Sequence, residues 1–574
     1  MTQPDELAIY LPEGALAPPR NAYGRLVANA GVYRALARYG GYQRLHFQCR
    51  RPVEPGQLAR ELQLAAAGPV VGSGSPLSTA APARAGVLLS GQPYLAEPAW
   101  VRRHAGRDAA YSIAGTIFAF SVAPSREAML HSLLAPLHPW DALVCSSPTL
   151  ERTVARTLDA WEDHLRERLC VDAQDDTVGR PRLPRPQLPV IPFGVDAEGV
   201  ASQAADGAAR KALREAHGVA DDDVVVSFLG RLSFYDKAFP QAMFKAVRAA
   251  QSAAGVTTHF FLTGWFPAGE RDRARFEAAA RRYAPEVHVA FLDGNDRTVV
   301  AQSWAAADVF LLLSDTIIET FGQALTEAMA AGLPLVVSDW DGYRSIVRDG
   351  VDGFLVPTLG GPAGPAGESL ALLESLGVTD YVGYAGTTAQ HTAVHVGRTA
   401  EALGRLIASP ELRAAMGAAG RRRALEEFAW PVVVRRYQEL FAELAERREP
   451  AAAPPGPTAR HRMPPLRNDP FADFAALPTA VLTDETRLRL AAEAPGDAGS
   501  GPLGPDESLE LDVMFPALRG TKGEAARIVE VLRESGALPV RDIVRAFPPG
   551  RRPFVRMSLL WLAKAGVVDW LEDG

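Results

Sequence analysis

Cysteine is scarce in this 574-residue chain. Cys49, Cys145 and Cys170 are odd in number and widely spaced, which excludes a disulfide framework and gives no metal-ligand spacing. Such usage fits a reducing, cytoplasmic setting. No apolar run approaches the roughly 18 to 20 residues that span a bilayer. The opening MTQPDELAIYLPEG has no basic stretch leading into an apolar one, so a soluble intracellular protein without a leader or transmembrane segment is expected. A basic excess is missing too: 60 Lys and Arg against 67 Asp and Glu leave a net charge of -7, which favours neither nucleic acid nor an anionic membrane as a general partner. No internal repeat of fixed period occurs. What is present is ordinary globular composition, 47% apolar and 22% charged, in a chain too long for one core, so two or three domains are expected.

Short apolar runs alternate with longer stretches of helical spacing, the pattern of parallel strands joined by crossover helices. A first series opens with a strand at Leu7 to Leu11, a Pro/Gly loop and a helix from about Asn21 to Tyr39. It continues through strands near Leu45, Val87, Tyr111 and Ala142 and closes on VIPFGVD from Val190. A second series runs through DVVVSF from Asp223, THFFL from Thr258, VHVAF from Val287, DVFLLL from Asp308, PLVVSD from Pro334 and GFLV from Gly353. Pro410 to Arg448 is strongly helical. Proline then bunches between Glu449 and Pro505, which reads as a linker, and a compact segment follows. The expected division is 1–196 and 197–410 as two doubly wound α/β domains, 411–448 as closing helices, 449–510 as linker and 511–574 as a small terminal domain. Ligands of open parallel sheets sit beyond the carboxyl ends of the strands, so two facing sheets predict a cleft between domains.

The loops after the second-series strands carry the chemistry. LGRLSFYDKAFPQAM follows VVVSF and places Arg231 and Lys237 just past a strand end. Two cations there suit a diphosphate, each making charge-assisted hydrogen bonds of roughly 1.5 to 3 kcal/mol, although a solvated pair at a helix start reads as well on this loop alone. From Glu319 the chain reads ETFGQALTEAMAAGLPLVVSDWDGYRSIV. Glu319 falls in the loop before a helix and Glu327 about two turns inside it, so both carboxylates can face one elongated ligand. Phe321 and Gly322 open the helix, whose first amides are unpaired donors for an anion. Glu327 leads into a small, apolar environment, where an unpaired carboxylate is costly.

Glu319 to Val356, with Arg231, Lys237 and the IPFGVD segment at Ile191, resembles the retaining glycosyltransferases of family 4, which have two facing Rossmann-like domains, the GT-B architecture. The E-x7-E spacing followed by AMAAGLP is the specific part, and the similarity spans about Leu7 to Arg448. The resemblance implies a hexosyltransferase with a UDP- or GDP-sugar as donor substrate, no tightly bound cofactor and no catalytic metal. It assigns the acceptor side to the first domain and the donor side to the second. Arg231 and Lys237 hold the diphosphate; Glu319 and the backbone at Phe321, Gly322 and Gln323 hold the sugar and its phosphate; Glu327 holds the ribose. Glu319, Arg231 and Lys237 are the catalytic candidates. Asp221, Asp222 and Asp223 read as a polar lead-in to a strand rather than as metal ligands.

Several positions depart from the family pattern. The strand YSIAGTIFAFSV from Tyr111 matches the segment that usually carries a histidine near the sugar, but Phe118 stands there, while His104 and His131 are elsewhere. Either the correspondence is shifted, another group substitutes, or catalysis is weaker. DGYRSIV has Ser345 where many relatives have an acid. Gly14 and Gly24 flank the first loop, as turn residues or as an approach for donor phosphate. An insertion from Thr358 lengthens the chain after GFLV; its Tyr381, Tyr384, Gln390 and His391 suit either sugar binding or packing.

From Glu524 apolar residues at helical spacing predict three helices, near Ala525 to Ser535, Val540 to Phe547 and Phe554 to Lys564, then a short strand; the pattern resembles a winged helix. Arg551, Arg552 and Arg556 begin the third helix, the one that enters DNA in such folds. Leu559, Leu560 and Trp561 favour docking of a protein partner or self-association instead. Two functions compete: a retaining glycosyltransferase with an unidentified acceptor, and a non-catalytic ligand-binding scaffold or nucleic-acid-binding regulator.

Overall fold

The computed structural model describes residues 4–16, 24–168, 183–452, 461–492 and 518–571. Cys170, the first residues of the helix expected from Asn21, and positions 453–460, 493–510 and 511–517 lie outside the described residues. The chain divides into two compact units, Met1–Pro464 and Pro465–Gly574.

The first unit holds two six-stranded parallel sheets. In chain order the first contains β1 (Glu6–Tyr10), β2 (Arg44–Gln48), β3 (Val70–Gly74), β4 (Val87–Ser90), β5 (Ser112–Ile117) and β6 (Ala142–Cys145). They lie side by side as β3-β2-β1-β4-β5-β6. The second contains β7 (Val224–Leu229), β8 (Thr258–Gly264), β9 (His288–Asp293), β10 (Val309–Leu312), β11 (Leu335–Ser338) and β12 (Gly353–Val356), in the order β12-β11-β10-β7-β8-β9. Each order reverses direction beside its first strand, so each sheet has the doubly wound arrangement with a switch point, at β1/β4 and at β7/β10. Two such sheets with their helices fit the α/β GT-B arrangement that the resemblance implies. The central strands are continuous apolar runs because helices cover both faces: Val224 to Val226, Val309 to Leu312 and Leu335 to Val337 are all buried.

β3 is the strand that apolar spacing does not predict. Its sequence, VVGSG, has two glycines and is mostly half-exposed at the sheet edge, so it lacks the apolar run that marks its neighbours. The insertion after β12 is also more ordered than a lengthened loop. A hairpin of β13 (Thr358–Gly360) and β14 (Thr392–Val394) carries two helices, Pro365–Ser375 and Tyr381–Gln390, at its tip.

The closing helix Trp430–Arg448 returns to the first sheet. Val433, Val434, Tyr437, Leu440 and Leu444 form one buried stripe at helical spacing. On its polar side Gln438 Nε2 donates to the Gly40 carbonyl at 2.9 Å, and Arg448 donates to the Gly86 carbonyl at 2.8 Å. Where the chain crosses, the Val195 amide donates to the Phe428 carbonyl and the Trp430 amide to the Val195 carbonyl, so the IPFGVD segment is fastened to the start of that helix.

The second unit packs helices Lys522–Ser535, Val540–Arg545 and Arg552–Lys564 on a small antiparallel sheet ordered β16 (Leu538–Pro539), β15 (Arg487–Leu490) and β17 (Val568–Trp570). The first helix begins on a capping box, Thr521 with Glu524. The middle strand, β15, lies inside the stretch that composition assigns to a linker; its Leu488 is buried against Ile528, Leu559 and Leu562.

Candidate functional site

The switch point of the second sheet brings the sequence-predicted residues together. The ten-residue connection from β7 to the helix Pro240–Ala254 carries Arg231 and Lys237, and the connection after β10 carries Glu319. Arg231 is ion-paired with Asp236 at 2.8 Å, and Lys237 Nζ donates to Glu319 Oε2. All four side chains are largely buried. Burial pushes the Glu319 carboxyl up, but the Lys237 charge and hydrogen bond, the Phe321 amide and the Arg231 charge outweigh it and hold the group below its ordinary value. Glu319 is therefore a carboxylate, paired with a cation that a competing anion can draw away.

The helix that starts next, Gln323–Ala330, is capped by Gly322 at φ +94°. A side chain is excluded there twice, by the left-handed backbone and because a Cβ would stand 2.3 Å from Tyr343 Cε1. Phe321 is buried; Gln323, at the first helical turn, is half-buried. Glu327 lies about one turn further along the same helix, half-buried, and burial pushes its carboxyl up to about 7. It is not in the Lys237–Glu319 cluster.

Two carboxyls that sequence inspection passed over join the site. Asp315 follows β10; burial pushes it up to about 7 against hydrogen bonds from the Asp315 and Phe239 amides. Asp341 has φ +34°, rare for a residue with a Cβ. Its Oδ1 accepts from Ser147 Oγ at 2.9 Å across the two sheet domains, and burial, with the Glu319 charge adding to it, pushes it up to about 7. The Asp-Gly pair at 341–342 is a turn signal, but nothing in its spacing tells that Ser147 meets it. Tyr343, fully buried, has its phenol raised well above the ordinary value by burial and by Glu319.

On the facing domain, Phe118 stacks on Phe193 of the IPFGVD segment with ring centres 4.8 Å apart and planes at 7°, and Phe193 meets Phe321 edge-on at 5.3 Å. The Phe118 carbonyl accepts from Thr320 Oγ1 at 2.7 Å. Phe118 thus joins the domains beside Glu319 through its ring and its backbone. Asp223 accepts from the Ala220 amide and pairs with His259 at 3.0 Å at the amino end of β7, away from the cluster. In the insertion, the Tyr381 hydroxyl meets Ser121 Oγ at 2.9 Å and the Tyr384 ring lies under the Arg126 guanidinium, so both aromatics are engaged in contacts between domains.

Oxygens of Ser146, Ser233 and Asp236, in the connections that follow β6 and β7, are buried without a hydrogen-bond partner. Polar atoms left this way suit a polar ligand. Among the described residues no group of three or more His, Cys, Asp or Glu side chains is arranged to hold a metal ion, and no helix is long and apolar enough to cross a membrane.

Comparison with known proteins bears on the same region. The phosphatidyl-myo-inositol mannosyltransferase of Mycobacterium tuberculosis is 34% identical over 168 residues, 29% of this chain and 39% of that one. The D-inositol 3-phosphate glycosyltransferase of Geodermatophilus obscurus is 33% identical over 180 residues, 29% of this chain and 36% of that one. The chain thus spans well under half the length of these relatives. Among solved structures, Anabaena HepE in complex with UDP and glucose superposes with a TM-score of 0.48 at 16% identity, over 76% of this chain and 99% of that one. The stretch that contains Arg231, Lys237, Glu319 and Glu327, residues 209–359, matches the family of glycosyl transferases group 1.

Proposed function

We propose that the chain is a retaining glycosyltransferase of family 4 that moves a hexose from a UDP- or GDP-sugar to an acceptor, in the cytoplasm. The observation that carries this is the Arg231–Asp236 and Lys237–Glu319 cluster at the β7/β10 switch point, within the stretch that matches glycosyl transferases group 1. Breaking the bond from the anomeric carbon to the diphosphate leaves negative charge on the leaving oxygen and cationic character on the sugar. Arg231, Lys237 and the amides at Phe321, Gly322 and Gln323 serve the first. Glu319, released from Lys237 when the diphosphate takes that cation, orients the sugar and faces its developing charge. Glu327 accepts from the ribose hydroxyls. Phe118 replaces the usual histidine, and its carbonyl, already shared with Thr320, is the polar group that position retains.

The test is release of UDP or GDP from a panel of nucleotide sugars, after a thermal-shift screen in which a ligand at about 100 times its dissociation constant stabilises by about 2.7 kcal/mol. No stabilisation and no release across the panel rejects the proposal. Acceptor assays begin with inositol derivatives, because the names of both relatives contain inositol.

For the second unit we propose a winged-helix-like module that docks a protein. Arg551 is tied to Glu524 at 2.7 and 2.8 Å, Arg556 is paired with Asp484 and Arg552 donates to the Phe547 carbonyl, so the basic start of the third helix is already engaged. Leu560 and Trp570 are exposed. DNA binding at low salt that disappears in Arg551→Ala/Arg552→Ala would reverse this assignment.

A further inference from the structure

The ten-residue connection that carries Arg231 and Lys237 has no regular secondary structure, and its two cations are paired with the acids Asp236 and Glu319. Its shape therefore depends on what packs against it. On one side this is its own domain: the Leu232 amide donates to the Trp265 carbonyl at 2.9 Å, and the Phe234 ring lies under the Arg275 guanidinium. On the other side is the insertion. Gly386, buried in the helix Tyr381–Gln390, approaches Tyr235 so closely that a Cβ would stand 3.3 Å from the Tyr235 Cβ. Tyr235 is the residue before Asp236, the partner of Arg231.

The same helix and its neighbour also hold the opposite domain. Tyr381 meets Ser121 through their hydroxyls at 2.9 Å. Glu374 pairs with Arg126 at 3.1 Å, and the Arg126 guanidinium lies over the Tyr384 ring at 5.7 Å. Ser121 and Arg126 belong to the connection and helix that follow β5, the strand that ends next to Phe118. One short helical pair thus touches the loop bearing the cations and the facing domain at once. The insertion has no Lys or Arg between Thr358 and His395, so it brings no cation of its own to a diphosphate.

We propose that the insertion 358–395 is a positioning element for the loop 231–237, which it holds through Gly386 while the Tyr381–Ser121 and Glu374–Arg126 contacts fix it to the facing domain. Tyr381, Glu374 and Arg126 are positioning residues: they set where Arg231 and Lys237 stand when the donor arrives. The inference rests on the donor reading above, in that it takes this loop to meet the diphosphate.

The test uses the full chain with UDP and GDP as binding probes in calorimetry and with the active nucleotide sugar in steady-state assays. Arg126→Glu and Glu374→Arg each raise KM for the donor about fivefold with kcat little changed, and the double variant returns it towards wild type. Tyr381→Phe and Gly386→Val weaken UDP or GDP binding in the same sense. Unchanged donor KM in the folded variants overturns the proposal, as does a loss in melting temperature that the double variant fails to rescue. A wild-type chain that binds neither nucleotide and releases none rejects the donor reading itself, a result distinct from normal donor binding that the variants leave untouched.

Discussion

The two ends of the parallel sheets use ion pairs in opposite ways. At the amino ends, both domains carry the same device. Asp141, just before β6, accepts from both terminal nitrogens of Arg102 at 2.7 Å and from the Ile113 amide of β5; Arg102 also donates to the Tyr111 and Pro136 carbonyls. Asp308, just before β10, accepts from Arg210, Arg214 and the Val225 amide of β7, and the two arginines also cap the carbonyls of Ala305 to Ala307. These acids are bound to strand backbone, and the Arg102–Asp141 pair is fully buried. At the carboxyl ends the acids meet cations on loops, Glu319 also accepting from the Phe321 amide of its own connection, and polar atoms such as Asp236 Oδ1 and Ser233 Oγ are left over. A pair tied to strand backbone fixes a sheet; a pair carried on loops can exchange one partner for a ligand.

Breaking this contrast gives four expected outcomes. Asp141→Ala strands a fully buried guanidinium and costs about 3 to 5 kcal/mol in chemical denaturation, with activity per folded molecule retained. A variant as stable as wild type would deny the amino-end pair its structural role. Lys237→Ala or Glu319→Ala lowers nucleoside diphosphate release per folded molecule by roughly 10² to 10³, because one charged group opposite the developing charge is gone. Undiminished release would remove both residues from the site.

A smaller effect follows from protonation. Glu327, Asp315 and Asp341 are raised to about 7, so the native state retains protons that the unfolded chain has already released. Their contribution is fully present below the unfolded values and is lost as pH rises through about 7, and stability declines over that window. Glu327→Gln flattens this decline in urea unfolding followed against pH, and a decline as steep as wild type's would exclude Glu327 as a source. The smallest effect is at Phe118→Leu, which removes the stack on Phe193 and costs about 1 kcal/mol in thermal unfolding. An activity loss exceeding that of Lys237→Ala would give the ring a role in the reaction that its packing does not suggest.

The second sheet's candidate site was legible because its residues are local in sequence. Arg231 and Lys237 are six positions apart on one connection, Glu319 and Glu327 bracket one helix start, and each lies after a strand whose apolar run is unmistakable. The facing half was less legible for the converse reason. β3 is a half-exposed edge strand with glycines, and Asp341 and Ser147 are 194 positions apart, so neither leaves a periodic or motif signal. The stretch around Arg487 to Leu490 reads as linker by composition, yet four residues with one buried leucine suffice for a strand once two others flank it.

The sequence by itself determined the alternation of strands and helices, the two series, and which residues stand at the carboxyl ends of the second, because apolar periodicity and strand direction are properties of neighbouring residues. Only the tertiary structure decided that Lys237 spends its charge on Glu319, that Phe118 is stacked rather than presented, and that the insertion reaches across to Ser121 and Arg126. Those pairings join residues 75 to 260 positions apart. Which distant side chains meet is set by the packing of whole domains, and no local pattern encodes it.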